Sequence, residues 1–143
     1  MVNRAGLLLA MLAAAPVAAG QTTAREIAEV ADISGLTASP DGRWVAYRIE
    51  RPSTVTNRID VDWYIVDANG GNPPRALGRV GTALIYEVGV VMPGEAQWAP
   101  DSQSLIVRGL VDGRIALWRS SIDGSGFVPV VEGDGDIETF AVL

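Results

Sequence analysis

The chain contains no cysteine, no histidine and no lysine. Without cysteine no disulfide can form, even in an exported compartment that would permit one, so stability rests on packing. A lipobox is excluded for the same reason. The absence of histidine removes the commonest general base and the commonest neutral metal ligand. All 11 basic residues are arginine, against 17 acidic ones, for a net charge of −6. That balance argues against nucleic acid or an anionic membrane surface as a partner. Long apolar runs are also missing. The uncharged apolar core Ala5 to Ala15, which Pro16 ends, falls short of the ~20 residues that a spanning helix needs.

That stretch has a different pattern. Arg4 gives a short positive segment, the apolar run follows, Pro16 breaks it, and Val17-Ala18-Ala19-Gly20 supplies small residues. This is the layout of a cleavable secretory signal over residues 1–20, with cleavage after Ala19 or Gly20. It predicts a periplasmic or secreted chain with no membrane attachment once the signal is removed. Removal takes Arg4 with it, leaving 10 basic against 17 acidic residues, a net charge of −7.

The rest of the chain is organised around Ser39-Pro40-Asp41-Gly42-Arg43-Trp44-Val45-Ala46-Tyr47. Pro40 fixes φ for the second position of a tight turn and holds Ser39 extended. Asp41 can accept from nearby backbone N–H groups, and Gly42 tolerates positive φ. Large apolar residues follow. The pattern returns at Ala99-Pro100-Asp101-Ser102-Gln103-Ser104-Leu105-Ile106-Val107, which marks a repeat protein. Ser102 stands where the first unit has Gly42. A left-handed non-glycine residue costs roughly 1–2 kcal/mol, so a different geometry is expected for the second turn.

Before the first repeat, residues 21–34 form a lead-in. Thr23 and Glu26 have capping-box spacing for a short helix over Thr22 to Ala31. Ile27, Val30 and Ala31 give it an apolar stripe, expected to pack on the body of the fold. Strands are expected at Gly35 to Ser39, Arg43 to Glu50, Ile59 to Asp67 and Arg75 to Leu77. The second strand is apolar on both faces, which predicts cover on both sides. Ile59, Val61, Trp63 and Ile65 share one face of the third, with Asp60 and Asp62 opposite, suited to pairing with an arginine. A second set of strands is expected at Gln97 to Ala99, Ser104 to Gly109, Ile115 to Ser120 and Phe127 to Val131. Asp112-Gly113 forms the tip of a hairpin, and Pro129 suits an edge strand. Residues 79–95 form an insertion, either an extra hairpin or a lid. The fold class is therefore all-β: an incomplete β-propeller over 35–143. It has about two four-stranded antiparallel blades (35–78 and 96–132) and the start of a third at 137–143.

Ser-Pro-Asp-Gly followed by an aromatic and apolar strand and then an Asp-Gly turn resembles the WD40-like propeller repeat. That repeat occurs in the TolB family and in prolyl oligopeptidase-like serine peptidases. Three further features are Glu29-Val30-Ala31-Asp32-Ile33, Asp62-Trp63-Tyr64-Ile65-Val66 and the run Leu110 to Arg119. Together with an exported N-terminus they resemble the beginning of a lasso-peptide isopeptidase. Such enzymes join an N-terminal propeller to a C-terminal α/β-hydrolase domain and cut the isopeptide bond of a lasso peptide. The resemblance implies a peptide substrate for the full-length protein. It also implies a Ser-His-Asp triad, with the serine in a Gly-x-Ser-x-Gly elbow.

Neither that elbow nor any histidine is in this sequence. No catalytic, cofactor-binding or metal-binding residue is therefore assigned. Asp134 and Asp136, between Glu132 and Glu138, miss the EF-hand spacing and read as a solvated acidic link. Trp44, Trp63, Trp98 and Trp118 sit in strand runs and read as core. Gly70-Gly71 lacks the strand–helix context of a phosphate loop and reads as a turn. The alternatives to an isopeptidase portion are a TolB-like module that binds a protein or peptide, or an inactive truncated product. Two blades leave apolar surface uncovered, so self-association of the isolated chain is expected.

Overall fold

The computed structural model describes residues 20–87, 89–131 and 137–143. Residues 1–19 and 132–136, on which the expected signal and the expected acidic link fall, lie outside the described residues. A five-residue helix, α1 (Ala24–Ala28), precedes eight strands. These are β1 (Asp32–Ala38), β2 (Trp44–Ser53), β3 (Arg58–Asp67), β4 (Arg75–Thr82), β5 (Ala96–Trp98), β6 (Ser104–Val111), β7 (Arg114–Ser121) and β8 (Phe127–Val131).

All neighbouring strands are antiparallel. β1 to β4 form one meander and β5 to β8 another, joined by the single pair Thr82↔Leu110 between β4 and β6. The eight strands expected for the two blades are present, and each meander has the make-up of a propeller blade. Trp44 and Leu105 lie in β2 and β6, which do not pair. One core is drawn from both meanders: Ala46, Val61, Trp63, Ile65, Leu77 and Val80 meet Trp98, Leu105 and Val107. Burying each of the larger side chains contributes roughly 1.5–3 kcal/mol, so this shared core ties the two blades together.

Several boundaries differ from the sequence expectation, for identifiable reasons. β1 begins at Asp32, because Gly35 is a bulge within a longer strand. Its φ is 64°, and the register with β2 shifts between Ser34 and Thr37. β4 likewise runs through glycines to Thr82, with register shifts against β3. Pro52 pairs with Ile59, so the connection between β2 and β3 is shorter than its polarity suggested. The insertion is a small hairpin: Ile85 bridges Val91, and Met92 N donates to Leu84 O at 2.8 Å.

The helix expectation is half right. Thr23 and Glu26 form the full capping box. The apolar stripe does not pack on the body, however, and Ile27 and Val30 are both 65% exposed. Polar bonds tether this end instead, since Thr54 N donates to Glu29 Oε1 at 2.9 Å. Residues 137–143 carry no strand assignment. They run beside β5, where Gln97 Nε2 donates to Phe140 O at 2.7 Å and Val142 N donates to Gln97 Oε1 at 3.0 Å.

Candidate functional site

The two repeat turns superimpose in their bonding. Gly42 N donates to Ser39 O and Ser102 N to Ala99 O, both at 2.9 Å. Arg43 N donates to Asp41 Oδ1 at 3.0 Å and Gln103 N to Asp101 Oδ1 at 2.9 Å. Gly42 and Ser102 have φ of 70° and 60°. The expectation of a different second turn is therefore corrected. Ser102 accepts the left-handed conformation because its buried hydroxyl is used: Asp41 N donates to Ser102 Oγ at 3.1 Å, tying one turn to the other. The Ser39 hydroxyl donates to Asp41 Oδ1 at 2.6 Å. That bond, followed by the one from Arg43 N, holds the Asp41 carboxyl below its ordinary range.

A second feature was not legible in the sequence. The buried face of β2 carries Arg48 and Glu50 beside Ala46, each 5% exposed. Arg48 Nη2 lies 2.6 Å from Glu50 Oε1. Arg48 Nε donates to Ser34 Oγ at 2.8 Å, and Ser34 Oγ donates to Glu50 Oε1. Arg48 Nη2 also donates to Met92 O at 2.6 Å. Charges this deep persist only when paired and hydrogen-bonded, and these are. The group forms the floor of a cleft of about 480 Å³, walled on one side by Asp32, Ser34 and Gly35 and on the other by the stretch Val90 to Gly94. A carboxylate alone is too weak a base to activate the Ser34 hydroxyl, so the trio organises structure and does not supply a nucleophile.

Arg108 on β6 holds the equivalent place in the second blade. Its Nε lies 3.4 Å from Glu95 Oε2, and its Nη1 donates to Ile137 O at 3.3 Å and to Glu138 O. Aligning the two repeats on Pro40 and Pro100 brings Arg48 and Arg108 to one position. That shared position was the available signal; a lone arginine in a strand otherwise reads as outward-facing.

Other sequence readings fall in place. Asp62 bonds Arg51, and Arg79 Nε lies 2.9 Å from Asp62 Oδ1 and Nη1 2.9 Å from Asp60 Oδ2. The bonds that Arg79 donates to Asp62, with that carboxylate's charge, push the guanidinium above its ordinary range. Trp63 and Trp98 are buried, whereas Trp44 and Trp118 are half-buried against the core. Arg75 stacks over the Trp44 ring at 5.3 Å. Asp112 and Gly113 both have positive φ, as the hairpin tip requires. Among the described residues, no group of three or more acidic side chains is placed to hold a metal ion.

Repeated four-stranded meanders, matching Pro-Asp turns and a shared core define part of a β-propeller. The chain is homologous to the lasso peptide isopeptidase AtxE2 of Asticcacaulis excentricus. The two are 28% identical, and the match takes in 96% of this chain and 23% of that protein. The solved apo structure of AtxE2 matches with a TM-score of 0.72 at 25% identity, over 82% of this chain and 21% of the other. A variant of AtxE2 with Astexin3-dC4 bound matches with a TM-score of 0.75 at 26% identity, over 85% and 22%. The chain thus spans less than a quarter of the relative's length. No family model matches it.

Proposed function

We propose that this chain is the N-terminal propeller portion of an exported serine peptidase of the lasso-peptide isopeptidase kind, with the catalytic residues outside these 143. The observation that carries this reading is the similarity to AtxE2 over 96% of the chain, together with the paired blades. The absence of histidine and of a Gly-x-Ser-x-Gly elbow supports a portion that does no bond cleavage itself. Residues 137–143, held along β5, then begin a third blade. Arg4, the apolar run and the small residues before Gln21 support a signal that is removed on export. In the full-length protein the substrate is a peptide, a reading supported by the similarity to a lasso peptide isopeptidase whose variant is solved with Astexin3-dC4 bound.

The test is the coding sequence downstream of Leu143. Further Pro-Asp-Gly units, then Gly-x-Ser-x-Gly and a later histidine, are expected. Blades with no hydrolase elbow would replace this reading with a TolB-like binding module. Mass spectrometry of the exported protein checks the signal separately. A chain starting at Gly20 or Gln21 is expected, and an intact Met1 would contradict export by cleavage.

A further inference from the structure

Arg48 and Arg108 stand the same distance after the turn prolines Pro40 and Pro100, and both side chains are at least nine-tenths buried. Each has a glutamate beside it: Glu50 Oε1 lies 2.6 Å from Arg48 Nη2, and Glu95 Oε2 lies 3.4 Å from Arg108 Nε, an ion pair without a hydrogen bond from that N–H. Each also donates to a main-chain carbonyl in the segment that follows its own blade: Arg48 to Met92 O, Arg108 to Ile137 O and Glu138 O. The stretch Met92 to Glu95 links the two. Met92 accepts from Arg48, and a Cβ added at Gly94 would lie 2.7–2.9 Å from the Nε, Cδ and Cζ of Arg48. The next residue, Glu95, pairs with Arg108, and its Oε1 accepts from Thr139 Oγ1 at 3.0 Å. Both arginines and Glu95 line one cavity of about 10 Å³ between the blades.

We propose that this repeated arginine is a clasp, one per blade, that fixes the course of the chain as it leaves that blade. In the first blade the clasp holds the stretch Val90 to Gly94, where the hairpin ends, as one wall of the 480 Å³ cleft; in the second it holds 137–143 beside β5. The chemistry suits the task. A guanidinium fork can satisfy a carboxylate and a carbonyl at once from a fixed plane, which a lysine ammonium on a flexible stem does not do. The partner is main chain, so the device works whatever side chains the following segment carries. That explains how one arginine position serves two segments of unrelated sequence.

The test is residue-resolved hydrogen exchange on the full chain and two variants. In Arg48→Met, the amides of Tyr86 and Met92, which bond Val90 O and Leu84 O, exchange faster by about tenfold or more, the factor lost with one hydrogen bond to a charged group. The Val142 amide keeps its rate. In Arg108→Met the effects are exchanged: Val142 speeds up and the hairpin keeps its protection. Equal acceleration of both segments in either variant, or of neither, overturns the proposal. Should Arg48→Met fail to fold, Gly94→Ala gives the same reading without removing a charge. Its Cβ must displace the guanidinium, so Tyr86 and Met92 accelerate while Val142 does not; an unchanged hairpin overturns the proposal there too.

Discussion

Ser102 shows how one hydroxyl offsets backbone strain. Its left-handed conformation costs roughly 1–2 kcal/mol relative to glycine, and the bond it accepts from Asp41 N returns roughly 0.5–1.5 kcal/mol. Ser102→Gly is therefore near neutral. Ser102→Ala keeps the strain, loses the bond and leaves Asp41 N–H unpaired, for a loss of about 1–2 kcal/mol in urea unfolding. Equal losses would contradict the account. Asp41 has its own signature. Its folded-state carboxyl titrates below the ordinary value of 3.8 because the Ser39 hydroxyl and then Arg43 N donate to it. Between those two values the unfolded chain binds the extra proton, so the contribution is present above 3.8 and disappears as pH falls through the lower, folded value. Asp41→Asn should flatten the acid limb of a stability–pH curve, and an unchanged limb would refute this. The turn motif was legible at this scale because Pro, Asp and Gly act locally. The Arg48–Glu50 pair was not, because its burial depends on a hairpin that arrives from residues 84–92.

Strands were easier to place than to bound. Alternation in β3 put Val61, Trp63 and Ile65 on one face, and all three are buried. The start of β1 and the end of β4 differ from expectation because Gly35 and Gly78 look like breaks, whereas each sits at a register shift through which its strand continues. The helix stripe was misread for a different reason. Five helical residues present too little apolar area to compete with the capping box and the Glu29–Thr54 bonds that place the segment. Gly81 gives the sharpest prediction at this scale. Its φ is 57°, and an added Cβ would sit 1.7 Å from Leu110 O, across the one residue-pair junction between β4 and β6. Gly81→Ala should cost ~3 kcal/mol or more, since strain and displacement of main chain combine. Gly42→Ala, with open space around its Cβ, should cost only the left-handed term of roughly 1–2 kcal/mol. Similar midpoints in thermal unfolding for the two variants would contradict the junction.

Across the whole sheet, the strand order among the described residues runs from β1 to β8. β1 lies at one end with Ile33 and Leu36 exposed, and β8 lies at the other with Val128 and Val130 exposed. Unpaired edges with apolar side chains favour association, and repeat units generally need at least three copies for stability. Residues 21–143 should therefore show a concentration-dependent mass in sedimentation, and a monomer at all concentrations with a sharp cooperative melt would argue against this. On the function proposed above, these blades are part of an isopeptidase-like peptidase and cleave nothing themselves. Purified chain, shown by circular dichroism to be β-rich, is incubated with a lasso peptide and the peptide's mass is followed. An unchanged peptide is expected; gain of one water with ring opening would overturn the proposal and require a mechanism without histidine.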